Sequence, residues 1–236
     1  MNDLTLVYYT SNRIDDEVAQ KIRDHLLDVT ENKYPIVSVS QKPLDFGKNI
    51  YVGDVGPSKY NCYGQILIGA REAKTKYVAC IEDDVLYTSS HFLHRPPDGV
   101  FSYNSNYWIA ADDCYWRADE EKKRMGMFGC ITDTDNLVKN LTTRYTHYPI
   151  DPLPRKSKYL AWGEPGLVDQ YFGMKNRLEY FNSEEALVAF MHGNSLGDYR
   201  NKFDKLKPEN LIYDLAPYGN IKTLRDKYWK GGSHGH

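Results

Sequence analysis

Along the first third of the chain, apolar positions switch between two periods. Leu4 to Tyr9 is a short, mostly apolar, β-rich run and reads as a first strand. Thr10-Ser11-Asn12 turns the chain. From Asp15 to Leu27 the residues Val18, Ile22 and Leu26 recur every four positions, the spacing of an amphipathic helix. Pro35 to Ser40 alternates like a second strand, which Gln41-Lys42-Pro43 ends. Residues 44 to 58 carry Gly and Pro and read as loop, with a short extended piece at Ile50-Tyr51-Val52. Helical spacing returns over Tyr60 to Lys74, through Tyr63, Ile66, Leu67 and Ala70, and Tyr77 to Ile81 is a third strand.

That succession predicts the α/β alternation of a parallel, nucleotide-binding sheet. Neither a GxGxxG after the first strand nor a GxxxxGK[ST] is present, so a dinucleotide site and a P-loop are both disfavoured. The second half is less regular. Short strands are expected at Phe101–Tyr103, Tyr107–Ala110 and Asp113–Arg117. Gly129 to Thr132 should lead into a helix over Thr134–Tyr145, and residues 146 to 158 should form an extended loop. Late strands are expected at Leu178–Phe181 and Leu187–Met191, and an amphipathic helix at Asn220–Trp229. One domain over residues 1–230 follows, with a nucleotide-binding half (1–87), an acceptor half (88–230) and a flexible tail at 231–236.

Composition narrows the chemistry only a little. At 236 residues the chain can bury a full core, and a net charge of −2 argues against a generally basic nucleic-acid binder. Cys62, Cys80, Cys114 and Cys130 contain no CxxC pair and read as reduced thiols of a cytoplasmic protein, or of host cytoplasm if the chain is phage-encoded. No signal peptide or membrane span is visible.

The sharpest feature is the end of the third strand. Val78 to Ile81 runs straight into Glu82-Asp83-Asp84, and three adjacent acids can neither be buried unpaired nor sit inside a sheet. They must surface at the carboxyl end of the strand, where open α/β sheets place ligands. Strand alternation would put Glu82 and Asp84 on one side and Asp83 on the other. Two hard oxygen donors on one side suit Mn²⁺ or Mg²⁺, with substrate phosphates completing the shell. A strand end feeding an acidic turn is the plain alternative.

With Glu82-Asp83-Asp84 closing the third strand, the chain resembles the GT-A class of nucleotide-sugar glycosyltransferases, whose motif here departs by having Glu82 first. The resemblance implies a GT-A-like α/β domain with a Rossmann-like first half, a mixed sheet and an irregular acceptor-binding second half. It implies that Asp84 ligates the metal and that Glu82, a second candidate ligand, lies with Asp83 by the nucleotide. A second matching stretch is Trp162-Gly163-Glu164-Pro165-Gly166, which implies Glu164 as general base of an inverting transfer, with Asp169 in reserve. A carboxylate opening a helix at Pro165 is the structural alternative for Glu164. His192, after the last apolar strand, is implied as a further metal ligand, and Arg200, Lys202 and Lys205 as partners of the diphosphate. Tyr9, Thr10, Ser11, Asn12, Arg13 and Gln65 fall where such enzymes contact base and ribose, Tyr9 as a stacking ring for uracil. A UDP-sugar is the donor implied.

The whole chain is also similar to compact phage and bacterial glycosyltransferases, some of which are thought to modify hydroxymethylated pyrimidines in DNA. The stretch Arg144 to Trp162, with Arg144, His147, Arg155, Lys156, Lys158 and Tyr159, could track a phosphate backbone. A surface-glycan, lipid-linked or protein acceptor is the other branch. Two rival readings use the same acids: a nucleotidyltransferase or metal-dependent phosphohydrolase, which should show more basic residues near Arg13, and a non-catalytic nucleotide-sugar-binding module.

Overall fold

In the computed structural model the described residues are 3–117, 126–151, 162–193 and 210–229. The organising strand is β1 (Leu4–Thr10), buried along its whole length. It pairs in parallel with β2 (Ile36–Ser40) on one side and β4 (Tyr77–Glu82) on the other. β3 (Lys48–Tyr51) extends the sheet in parallel beyond β2, at the place where a short extended piece was expected. Across β4 comes β9 (Cys130–Asp133), antiparallel, then β6 (Val100–Asn104) and β10 (Arg177–Phe181). The resulting seven-stranded mixed sheet has the order β10-β6-β9-β4-β1-β2-β3 and draws strands from both halves of the chain.

Burial of β1, and of β4 as far as Ile81, follows from what covers each face. Leu4, Leu6 and Tyr8 of β1, with Tyr77, Ala79 and Ile81 of β4, point into one core. Val7 and Tyr9, with Val78 and Cys80, point into the other, which α2 (Lys59–Glu72) and α3 (Thr134–His147) fill with Tyr63, Ile66, Leu67, Leu137 and Leu141. A strand covered on both sides loses polar alternation, and both strands read as continuous apolar runs for that reason. Asp15, Ser58 and Asp133 cap α1 (Asp16–Thr30), α2 and α3 by accepting from backbone N–H groups in the first turn.

The first core is closed by a second sheet of order β12-β8-β7-β11-β5. Its strands are β5 (Val85–Leu86), β7 (Tyr107–Ala110), β8 (Tyr115–Trp116), β11 (Leu187–Phe190) and β12 (Leu211–Ile212). Val85, Ile109, Trp116, Leu187 and Ala189 share the core of the large sheet. Leu86, Ala110, Tyr115, Val188 and Phe190 face the other way, against Val18 and Ile22 of α1 and Leu224 and Tyr228 of α4 (Ile221–Tyr228). A two-stranded ribbon of β13 (Asp214–Leu215) and β14 (Gly219–Asn220) precedes α4.

The architecture is therefore the expected mixed α/β fold, with three local differences. Residues 130–133 are a paired strand rather than a lead-in to α3. No helix opens at Pro165, where the chain makes turns. β4 stops at Glu82, and Asp83 and Asp84 sit in a tight turn before β5, so strand alternation does not govern where the three acids point. No helix among the described residues is long and apolar enough to cross a membrane.

Helix α2 sits close on β1 because Gly69 has no side chain: a Cβ there would lie 2.4 Å from Cγ1 of Val7 and 3.3 Å from Cγ2 of Val39. Gly69→Ala gains about 1 kcal/mol of helix propensity. Overpacking against a fixed central strand costs about 1–3 kcal/mol, so net destabilisation is expected. Urea unfolding should show a lower midpoint with an unchanged m-value; a higher midpoint would mean that the helix can lift off the sheet at little cost.

Candidate functional site

Parallel pairing brings the ends of β1 and β4 to the same edge, with Tyr9 opposite Glu82. Each acid of the turn has its own partner. The Tyr9 hydroxyl donates to Glu82 Oε1 at 2.7 Å, and the Thr10 hydroxyl donates to Asp83 Oδ2. Asp84 Oδ2 lies 3.2 Å from Nε2 of His192, a residue 108 positions away. The turn is anchored from below by Tyr87, whose hydroxyl accepts from the Glu82 N–H at 3.1 Å and donates to the Phe128 carbonyl at 3.1 Å.

β5 and β11 make the Asp84–His192 contact. They pair antiparallel, Val188 with Leu86 and Ala189 with Val85, and the next bond runs from the Phe190 N–H to the Asp84 carbonyl at 2.8 Å. His192 then emerges beside Asp84. Its ring stacks on the indole of Trp229, just past α4, with centroids 5.5 Å apart and planes 28° apart.

Electrostatics tie the acids together. Burial, then the charge of Asp84, pushes the Glu82 carboxyl up to about 8, against the pull of the Tyr9 hydrogen bond; Asp83 and Glu164 push in the same direction. Burial and Asp84 push Asp83 up to about 6, while Thr10 and His192 oppose the shift. Glu164 is thus near enough for its charge to be felt at Glu82. Its own carboxyl is raised by burial, with Lys59 and Arg144 pulling the other way.

Asp84 and His192 have the donor set and spacing for a divalent cation. Two donors in adjacent positions around Mg²⁺ or Mn²⁺ stand roughly 3 Å apart when each bond is ~2.1 Å. The other carboxylate oxygen, Asp84 Oδ1, is buried with no hydrogen-bond partner, and an acceptor left so has a donor or an ion to gain. Among the described residues no group of three or more His, Cys, Asp or Glu side chains is arranged as a complete cage. Glu82, anchored on Tyr9, is not part of the pair.

Several expected roles change. Tyr9 is only 4% exposed and packs in the core with Tyr63 and Ile66, so its ring has no face to offer a base; it serves the site as a donor to Glu82. Gln65 is buried and donates to the carbonyls of Thr10 and Val39, both at 2.8 Å, stapling β1 to β2 rather than reaching a ribose. Asn12 accepts from the N–H groups of Gln41 and Lys42, which shapes the turn after β1. Ser11 is half-buried and Arg13 exposed at that same edge.

Asp169 is not a base in waiting. It is buried, and its carboxylate accepts from Asn140 Nδ2, Arg144, the Gly166 N–H at 2.5 Å and Asn176 Nδ2 at 2.6 Å. Arg144, its ion-pair partner at 3.1 Å, is fully buried and so cannot track a phosphate backbone. Arg155, Lys156, Lys158, Tyr159, Arg200, Lys202 and Lys205 lie outside the described residues. Trp229 was legible only as the end of an amphipathic helix, with nothing to link it to His192.

No protein-family model matches the chain, and no curated protein matches it. Solved structures with a similar trace include a glycosyltransferase involved in glycosylation of the major capsid of PBCV-1, with a TM-score of 0.46 at 11% identity, over 77% of this chain and 82% of that one. A nucleotidyl transferase from Methanothermobacter thermautotrophicus gives a TM-score of 0.48 at 12% identity, over 78% and 88%. Residues 1–349 of S. aureus TarS in complex with UDP-GlcNAc give 0.43 at 12% identity, over 82% of this chain and 60% of that one.

A pH dependence follows from Glu82. Its carboxyl binds a proton more tightly in the folded protein, about 8, than at the ordinary value of 4.5. Between those values the folded state holds the extra proton, so stability is present at the acid end and is lost as pH rises through the window, by up to ~1.4 kcal/mol per pH unit. With divalent ions chelated, urea unfolding should show the protein losing stability from about pH 5 to about pH 8, and Glu82→Gln should flatten that slope. Parallel pH curves for the two proteins would show that Glu82 is already ionised in the folded state.

Proposed function

We propose that the protein is a metal-dependent glycosyltransferase that moves a sugar from a nucleotide-sugar, a UDP-sugar being the first to test, to an acceptor hydroxyl with inversion. The observation that carries this reading is the pairing of Asp84 with His192 at the strand ends, with one Asp84 oxygen left unsatisfied. The half-buried carboxylate of Glu164 approaches the same acids.

In this scheme Asp84 and His192 hold the cation, which when bound would neutralise charge on the departing nucleoside diphosphate. Glu164 takes the proton of the acceptor hydroxyl as that oxygen forms its bond to the anomeric carbon. The bond from that carbon to the diphosphate oxygen breaks on the opposite face, and the electron pair leaves with the diphosphate. A carboxyl raised by burial is a stronger base near neutral pH than an exposed one, which suits the task. Tyr9 and Thr10 hold Glu82 and Asp83 in place, and Asp84 keeps a buried oxygen open.

The test is ligand-dependent stabilisation with a panel of UDP-, GDP-, CMP- and dTDP-sugars, with and without Mn²⁺. A cognate donor at about 100 times its Kd should add ~2.7 kcal/mol, only with metal, and Asp84→Asn should abolish the gain. Stabilisation by none of the donors would remove the glycosyltransferase reading. Pyrophosphate release from a nucleoside triphosphate would replace it with nucleotidyl transfer.

With the donor known, Glu164→Gln should cut turnover by roughly 10²–10⁴-fold, the usual contribution of a positioned base, and leave donor affinity within about twofold. The acceptor set should hold both DNA with hydroxymethylated pyrimidines and surface glycans. Full turnover in Glu164→Gln would assign the proton transfer elsewhere.

A further inference from the structure

Residues 163–168 form only turns, yet a base carried there must meet its hydroxyl to within about half an ångström. The chain solves this by gripping the backbone on both sides of Glu164. Arg144 donates from NH1 to the Gly163 carbonyl at 2.5 Å. The Tyr103 hydroxyl donates to the Pro165 carbonyl at 3.0 Å. Asp169, already tied to Arg144, takes the Gly166 N–H. Gly166 is in the left-handed region at φ +87°, and an added Cβ would press on Leu178 at 3.2 Å, so the turn admits little other than glycine.

Arg144 and Asp169 are 0% and 1% exposed. A buried ion pair is poor value as a source of stability, because apolar residues of the same volume often do as well. What apolar residues cannot do is hold a carbonyl and an N–H on the two sides of one residue. Both charges are themselves held by the helices: Asn140 of α3, one turn before Arg144, donates to Asp169, and the guanidinium lies 5.6 Å from the centroid of the Tyr63 ring on α2.

We propose that Arg144 and Asp169 are positioning residues: a buried clamp, completed by Tyr103, that carries Glu164 at the end of a turn and fixes it relative to the acids of β4. The inference rests on the reading of Glu164 as base. It goes beyond that reading in giving the flanking ion pair work of its own. Arg144 also lowers the proton affinity of Glu164, an effect that loosening the clamp would weaken.

The experiment combines hydrogen exchange with a mutant cycle. Asp169→Asn removes the charge and keeps the shape; Tyr103→Phe removes one grip without stranding a buried charge, and covers the case in which Asp169→Asn fails to fold. Exchange at residues 163–168 is expected to quicken by about tenfold in Asp169→Asn and less in Tyr103→Phe, with α2 unchanged. Turnover should fall by about 100-fold in Asp169→Asn with donor affinity kept, as a misplaced group implies. The pair Asp169→Asn with Glu164→Gln should be no slower than Glu164→Gln alone, because both act through one carboxylate.

Unchanged exchange in both single variants would overturn the clamp. Faster exchange with full turnover would leave the grip real and overturn its catalytic purpose. Additive losses in the pair would make Asp169 a structural residue that does not act through Glu164. Failure of Glu164→Gln to slow the reaction, seen on its own, would instead strike the reading of Glu164 as base.

Discussion

Three carboxylates in successive positions set the terms for everything around them. Burial raises the proton affinity of Glu82 and Asp83, and the neighbouring charge of Asp84 adds to it. The fold answers by giving each acid a separate partner: Tyr9 and Thr10 from β1, and His192 from just past β11. Two sheets are needed for this: the parallel pairing of β1 with β4 in the large sheet places Tyr9 and Thr10 beside the acids, and β11 of the second sheet brings His192 to Asp84. Asp84 has a buried oxygen with no hydrogen-bond partner.

Much of the fold was legible where one physical signal ruled. β1 and β4 are buried on both faces and show as apolar runs; α1 shows as a four-residue spacing and α2 as a mixed three- and four-residue one. β5, β12, β13 and β14 were not legible, being two-residue strands that exist only through their partners. A two-residue segment has no period to read. β9 was hidden for a related reason, since it runs directly into α3 and the helix signal dominates.

In the candidate site, neighbours distant in sequence decide what each residue meets. Asp84 and His192 were singled out and stand together. Tyr9, Gln65 and Asp169 were singled out for contact with substrate, but their polar groups are taken up inside the protein. Arg144 was grouped with exposed basic residues, whereas it is sealed against Asp169. A charged residue announces chemistry; only its neighbours decide whether that chemistry faces inward. Sequence order holds no record of such neighbours when they lie 25 or 108 positions apart.

The His192–Trp229 stack carries a consequence for how the molecule comes into being. The acids emerge from the ribosome long before the histidine, and the indole that steadies the histidine comes later still. During synthesis the half-made protein therefore holds three acids without their imidazole. Such an intermediate has its acids without the second sheet's histidine beside them, and the Asp84–His192–Trp229 arrangement forms only once β11 and α4 are in place.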